Sequence, residues 1–299
     1  MTRPATAVPL LGRIAAAPIS WGVCEVPGWG HQLTPGRVLT EMRQLGIAAT
    51  EFGPDGFLPE NPARRAAVLG EYGLAAVGGF VPVVLHRADH DPLPAVRTAL
   101  DAFTACGADT LVLAAATGED GYDSRPALDA QGWGTLLARL DAIARLAADH
   151  GVTAALHPHI GTMVEREHEV QRVLDGSATP LCLDTGHLLV GGTDPVALAR
   201  RAPDRVAHVH LKDVDAVAAR DVREGRTSYT DAVAAGLYRP LGRGDVDIAA
   251  LVRTLESHGY RGWYVMEQDT VLTTDPDPGE GPLRDVAAGL DFLRTVATP

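Results

Sequence analysis

Four short clusters in the chain carry side chains able to bind a metal or move a proton: His157-Pro158-His159, Asp184-Thr185-Gly186-His187, His208-Val209-His210-Leu211-Lys212-Asp213, and Glu267 behind Trp263-Tyr264-Val265-Met266. Each interrupts or ends an apolar run. A charge in such a place is costly unless it meets a metal, an opposite charge or water, and one shared metal ion would satisfy all four clusters together. Taken singly, the residues allow plainer readings. Asp184 could only cap the helix that follows it, and Glu267 could form a salt bridge on a rim. Recurrence at successive points favours the shared ion. Of the two imidazoles flanking Val209, we expect only His210 to face the site, with His208 packing outward against helices.

The clusters end β-type runs, which alternate with helical patterns through the sequence. The runs cover residues 14–19, 47–52, 75–81, 110–115, 153–157, 181–184, 206–211 and 263–267. Helical stretches cover 35–45, 94–106, 133–150, 248–258 and 283–296, with apolar residues returning three and four apart; Val96, Leu100 and Phe103 share one such face. Gly46, Gly107, Gly151 and Gly259 each follow a helix and precede a strand, where a left-handed residue commonly ends the helix. This pattern predicts an α/β fold, a (β/α)8 TIM barrel, with residues 1–299 as a single domain. Catalytic groups in such barrels project from the C-terminal strand ends, where these clusters fall. A doubly wound sheet is the alternative, but no Gly-rich dinucleotide fingerprint follows the first strand. Two irregular segments, 20–32 and 213–244, are long enough to act as lids or walls, and the second holds a short helix near 228–235.

Composition narrows the partners. A chain of 299 residues exceeds the about 250 typical of a barrel by little more than loop insertions. Hydrophobic residues at 46% against 21% charged suit a globular chain with a large core. Acidic residues outnumber basic ones 38 to 26, and the resulting charge of −12 repels phosphate backbones and anionic membranes. We therefore expect no nucleic-acid partner and no barrel nuclease. Cys24, Cys106 and Cys182 are odd in number and widely spaced, which fits a reducing cytoplasm. Prolines interrupt the N-terminal stretch through Pro18, so we expect neither export nor membrane insertion.

Several motifs together resemble a known group. They are Ala17-Pro18-Ile19-Ser20-Trp21, His157-Pro158-His159-Ile160-Gly161-Thr162, Leu183-Asp184-Thr185-Gly186-His187, the run from His208 to Asp213, Gly242-Arg243-Gly244-Asp245-Val246-Asp247, and Gly262-Trp263 to Glu267. Across most of its length the chain resembles the xylose isomerase-like barrels of sugar isomerases and epimerases, and within them the inosose dehydratases, to which the first two motifs are more particular. The resemblance implies a divalent metal, Mn2+ or Co2+ first and Mg2+ or Zn2+ as alternatives, with Asp184, His210 and Glu267 matching three ligand positions. His157 stands at the fourth. Most isomerases and epimerases of the group carry there a Glu that serves as both ligand and base. The imidazole removes a negative charge, leaving His157 either as a ligand to a stronger Lewis acid or as a base, since the imidazole reference pKa of about 6.5 lies near working pH.

The implied chemistry is a dehydration. A metal polarises a substrate carbonyl, the adjacent carbon loses a proton to give an enediolate, and a β-hydroxyl leaves. The expected substrate is a small polyhydroxylated ketone, 2-keto-myo-inositol or a related keto-cyclitol. Returning the proton to carbon instead gives an isomerase or epimerase, elimination from a 3-keto-glycoside is a third outcome, and a sugar-binding protein without catalysis is the non-enzyme alternative. Acid and base roles fall to His157, His159, His187 and Glu267. Trp21, Glu51, His159, His187, Lys212 and Arg243 are candidates for substrate contact, with Phe80 and His86 as further pocket walls. Asp213 is a candidate for orienting His210, because metal-bound histidines usually have such partners. A homo-oligomer is compatible with the resemblance.

Overall fold

The computed structural model describes residues 8–297; the first seven residues of the N-terminal stretch lie outside it. Among the described residues eleven strands follow one another: β1 (Ile14–Ala16), β2 (Ala49–Thr50), β3 (Ala75–Ala76), β4 (Gly78–Val84), β5 (Thr110–Ala116), β6 (Thr153–Leu156), β7 (Leu181–Asp184), β8 (Val206–Leu211), β9 (Asp213–Val214), β10 (Tyr238–Arg239) and β11 (Tyr264–Met266). Nine make one sheet in the order β3-β2-β1-β11-β8-β7-β6-β5-β4, while β9 and β10 pair separately. Every pairing in the large sheet is parallel. Its two ends, β3 and β4, are separated in sequence only by Val77, so the sheet closes on itself there and forms the expected TIM barrel. The expected third strand is thus two pieces with different partners. At the switch the backbones come so close that a Cβ on Gly78 would lie 1.8 Å from Thr110 O.

Helices fill the intervals. Thr34, Asn61, Asp129 and Asp247 accept backbone N–H groups at the starts of helices Pro35–Gln44, Pro62–Glu71, Ala130–Asp149 and Ile248–Ser257. Gly107 takes a left-handed φ of +75° after helix Leu93–Cys106, as the sequence pattern predicts. The first strand stops at Ala16, short of the expected Ile19, because Pro18 opens a 3-10 turn over Pro18–Trp21.

Strand alternation then sorts the side chains. Leu181, Leu183, Val209, Leu211, Tyr264 and Met266 face outward and pack with helix residues such as Leu39, Leu100, Leu136 and Leu251. Ala15, Ala49, Val77 and Val265 face inward as one small cluster, and Val112, Ala155 and Cys182 as another. Small residues fill this narrow interior. The next inward positions toward the strand C-termini are Glu51, His157, Asp184, His210 and Glu267, so below the polar mouth the barrel interior is mainly apolar, with His208 as a polar exception level with Cys182. No helix among the described residues is long and apolar enough to cross a membrane, and all three cysteines are free.

Candidate active site

Four acceptor atoms converge at the barrel mouth. The His157 Nδ1–H donates to the Pro158 carbonyl at 2.9 Å, which leaves Nε2 as the lone-pair nitrogen. The His210 Nε2–H donates to Glu51 at 2.9 Å, which aims Nδ1 at the other acceptors. These two nitrogens lie 3.1 Å apart. Asp184 Oδ2 is 3.5 Å from the first and 3.6 Å from the second, and Glu267 Oε2 is 3.2 Å from His210 Nδ1. Ligand atoms around one divalent ion are separated by about 3–3.5 Å, given bonds near 2.1 Å. Asp184 supplies a second argument. Its Oδ1 caps the next helix through Gly186 N and His187 N at 2.8 and 2.7 Å, while its buried Oδ2 has no hydrogen bond. The residues therefore fit a divalent cation: Asp184, His210 and Glu267 form a group that could hold one, with His157 Nε2 beside it.

Electrostatics point the same way. Burial disfavours the charged forms of Asp184 and Glu267, yet Lys212, His187 and His210 outweigh it and hold both carboxyls below their usual range. Burial would likewise lower His210, but Cys182, Glu267 and Glu51 raise its proton affinity well above normal. That excess of negative potential attracts any cation. Lys212 is fully enclosed, with Nζ at 3.3 Å from Asp184 Oδ2, 3.0 Å from Glu267 Oε2 and 2.9 Å from Asp269 Oδ1. The three carboxylates overcome burial and keep it an ammonium. His187 Nε2 lies 2.9 Å from the same Nζ.

His159 differs from its neighbours. Its Nδ1–H donates to the Ile160 carbonyl at 2.7 Å, and its Nε2 makes no hydrogen bond among the described residues. Burial, then the charges of His157 and Lys212, push its pKa well below 6.5, so the ring is neutral. It can accept a proton. A cavity of about 600 Å3 opens above these groups, and its walls include His157, His159, His210, Lys212, Glu267 and Asp269. That volume suits a small ligand.

The sequence pattern of the xylose isomerase-like TIM barrel family matches residues 39–296. The chain belongs to that family. This xylose isomerase-like barrel is 36% identical over 295 residues to the rhizopine catabolism protein MocC of Rhizobium meliloti, covering 95% of the chain and 88% of that protein. It is 31% identical over 270 residues to the inosose dehydratase of Geobacillus kaustophilus, covering 86% and 87% respectively. A solved structure of IolI protein with a bound zinc atom superposes with a TM-score of 0.68 at 12% identity, covering 96% of this chain and 98% of that one. The chain is accordingly an enzyme of the inosose dehydratase-like or sugar isomerase and epimerase kind.

Several sequence expectations need correction within this barrel. Residues two apart on a strand share a face, so His208 points inward with His210, and its Nε2 donates to the same Glu51 oxygen at 2.8 Å. Glu51, a candidate for substrate contact, does border the cavity, but it is 3% exposed and organises both imidazoles. The role foreseen for Asp213 is therefore filled by Glu51. Asp213 instead accepts from Gly242 N, Gly244 N and Val246 N and shapes that turn. Arg243, on the turn, is exposed and not among the cavity walls. Trp21 is wholly buried and donates to Glu41 at 2.8 Å, so it also does not wall the cavity. His187 sits behind His159, ring centroids 3.8 Å apart, and reaches the cavity only through it and Lys212. Phe80 lines the cavity and His86 does not. Sequence reasoning missed Asp269, Tyr122 and Tyr229; the first was legible, lying two residues beyond Glu267 on the same face.

Proposed function

We propose that the chain is a divalent-metal-dependent carbon–oxygen lyase that removes water from 2-keto-myo-inositol or a close keto-cyclitol. The observation that carries this reading is the neutral His159, with its Nε2 free, on the same cavity wall as the four-atom cation site. The likeness to inosose dehydratases supports dehydration among the outcomes open to such a pair. Asp184, Glu267, His210 and His157 would hold a divalent cation, with Mn2+ or Co2+ our first choices, and it would supply Lewis acidity at the substrate carbonyl.

The chain's own residues do the rest. His159 Nε2 takes the proton from the carbon beside the carbonyl and, as the β-carbon–oxygen bond breaks, the protonated ring gives that proton to the departing hydroxyl, so that one water leaves. Lys212, kept cationic by Asp184, Glu267 and Asp269, offers its ammonium hydrogens to oxygen on which negative charge develops. His187 and Asp269 fix the direction of that ammonium. The aromatic walls Trp29, Phe57, Phe80 and Tyr229 limit water around the reacting carbons. We take residues 1–299 to work as one catalytic domain in a reducing cytoplasm, in keeping with three free cysteines.

The test is turnover of 2-keto-myo-inositol by metal-stripped protein, with and without added Mn2+ or Co2+. Metal-dependent loss of one water, read by mass spectrometry and NMR, is the expected result. A product of unchanged mass would replace the lyase with an epimerase, and inertness toward keto-cyclitols would overturn the substrate class.

A further inference from the structure

Two adjacent residues in the segment between β5 and helix Ala130–Asp149 touch three other parts of the cavity. The Tyr122 ring lies 4.7 Å from the His159 ring, centroid to centroid. The Tyr122 backbone presses on Gly161, where an added Cβ would come 2.5 Å from Tyr122 Cα and O, and Gly161 has a φ of +76°. Only glycine meets both conditions. The Tyr122 hydroxyl donates to Glu25, on the irregular 20–32 segment at the mouth. Burial and the Glu25 charge raise the phenol's pKa, so it keeps that proton.

Asp123 reaches a third element. Its carboxylate accepts from Tyr229 N at 2.8 Å, Thr230 N at 3.3 Å and Thr230 Oγ1 at 2.8 Å, at the start of helix Tyr229–Ala234. That helix delivers Tyr229, whose hydroxyl donates to Asp269 Oδ2 at 2.9 Å, and Asp269 in turn holds Lys212. One dipeptide thus connects to the base, to the ammonium and to the mouth.

We propose that Tyr122 and Asp123 form a strap in which Tyr122 is a positioning residue, holding the His159 ring against the cavity and tying segment 20–32 across its mouth, while Asp123 fixes the Tyr229 helix that orders Lys212. This rests on the reading of His159 as the base. The ring and the hydroxyl of Tyr122 have separable duties. The ring limits the tilt of His159, which decides whether Nε2 reaches the carbon proton. The hydroxyl governs closure, and closure acts on substrate retention.

The test separates these duties. Tyr122→Ala is expected to lower kcat roughly tenfold or more with KM within about threefold, since a misplaced base costs rate rather than binding. Tyr122→Phe keeps the ring and should restore kcat to within about twofold while KM rises about fivefold. Glu25→Gln should reproduce the Tyr122→Phe pattern, and the double variant should be no worse than either single one. A wild-type kcat in Tyr122→Ala, or equal kcat losses in Tyr122→Ala and Tyr122→Phe, overturns the strap. Amide hydrogen exchange needs no substrate and decides the question independently. Tyr122→Phe should speed exchange within 20–32, and Asp123→Asn within 229–234, with Ile248–Ser257 unchanged in both. Unchanged exchange in both segments overturns the strap. Inertness of the wild-type protein toward keto-cyclitols would instead sink the dehydratase reading alone.

Discussion

Glu51 accepts a 2.9 Å hydrogen bond from His210 Nε2, and this contact turns His210 Nδ1 toward Asp184 and Glu267. The two residues come from β8 and from just past β2, which do not pair in the sheet. The bond therefore crosses the barrel mouth. Its consequence is that one carboxylate sets the tautomer of a proposed metal ligand without lying among the proposed ligands itself.

Glu51→Gln should therefore weaken metal binding about 10- to 100-fold while leaving the fold intact. An amide offers Nε2 a poorer acceptor and no charge to balance the ring. Competition with a chelator of known affinity gives the number. Binding as tight as in the unchanged protein would remove Glu51 from its assigned place.

Metal uptake should release protons. The His210 pKa is raised by Cys182, Glu267 and Glu51 against the opposing effect of burial. Below that raised pKa the ring carries two protons, and the cation must displace the one on Nδ1. The sign follows: metal affinity rises with pH until the raised pKa is passed. Calorimetry in buffers of differing ionisation enthalpy, between about pH 6 and pH 8, counts the protons. A metal affinity flat across that window would contradict the proposed site.

His157 and His159 should separate cleanly on substitution. His157→Ala removes a ligand and should cost both bound metal and turnover. His159→Ala should retain the metal yet lose about 10²- to 10⁴-fold in kcat, the usual contribution of a general base. Metal content by mass spectrometry beside steady-state kinetics distinguishes them. Loss of metal in His159→Ala, or full activity in either variant, would reverse the two roles or abolish them.

Much of this arrangement was legible because periodicity is a local property. The bounds of β7 and β8 appear in the sequence as they stand in the structure, and Asp184, His210 and Glu267 fall at strand ends as expected. His208 was misread although the same period of two that places Lys212 inward places it inward too. Asp269 was visible by that rule and went unused. Tyr122 and Tyr229 were not legible at all, since they lie on connections whose path is set by contacts with distant segments. Asp213 shows the converse: its neighbour Lys212 faces the site, but strand alternation turns Asp213 toward Gly242 and Gly244.

The closure of the barrel at Val77 makes a prediction about stability. Gly78→Ala would put a Cβ 1.8 Å from Thr110 O, a backbone atom in β5 that cannot turn aside as a side chain would. Relief requires β4 and β5 to move apart at the start of their ladder, and the cost should be about 1–3 kcal/mol or more. Gly70→Ala is the control. It lies in helix Pro62–Glu71 with nothing within 4 Å of an added Cβ, so alanine should stabilise by about 0.4–1 kcal/mol through the unfolded chain. Urea denaturation of both variants measures the contrast. Opposite signs support closure through a tight β4–β5 junction, whereas a neutral Gly78→Ala would mean that the junction yields and that the barrel is held shut elsewhere.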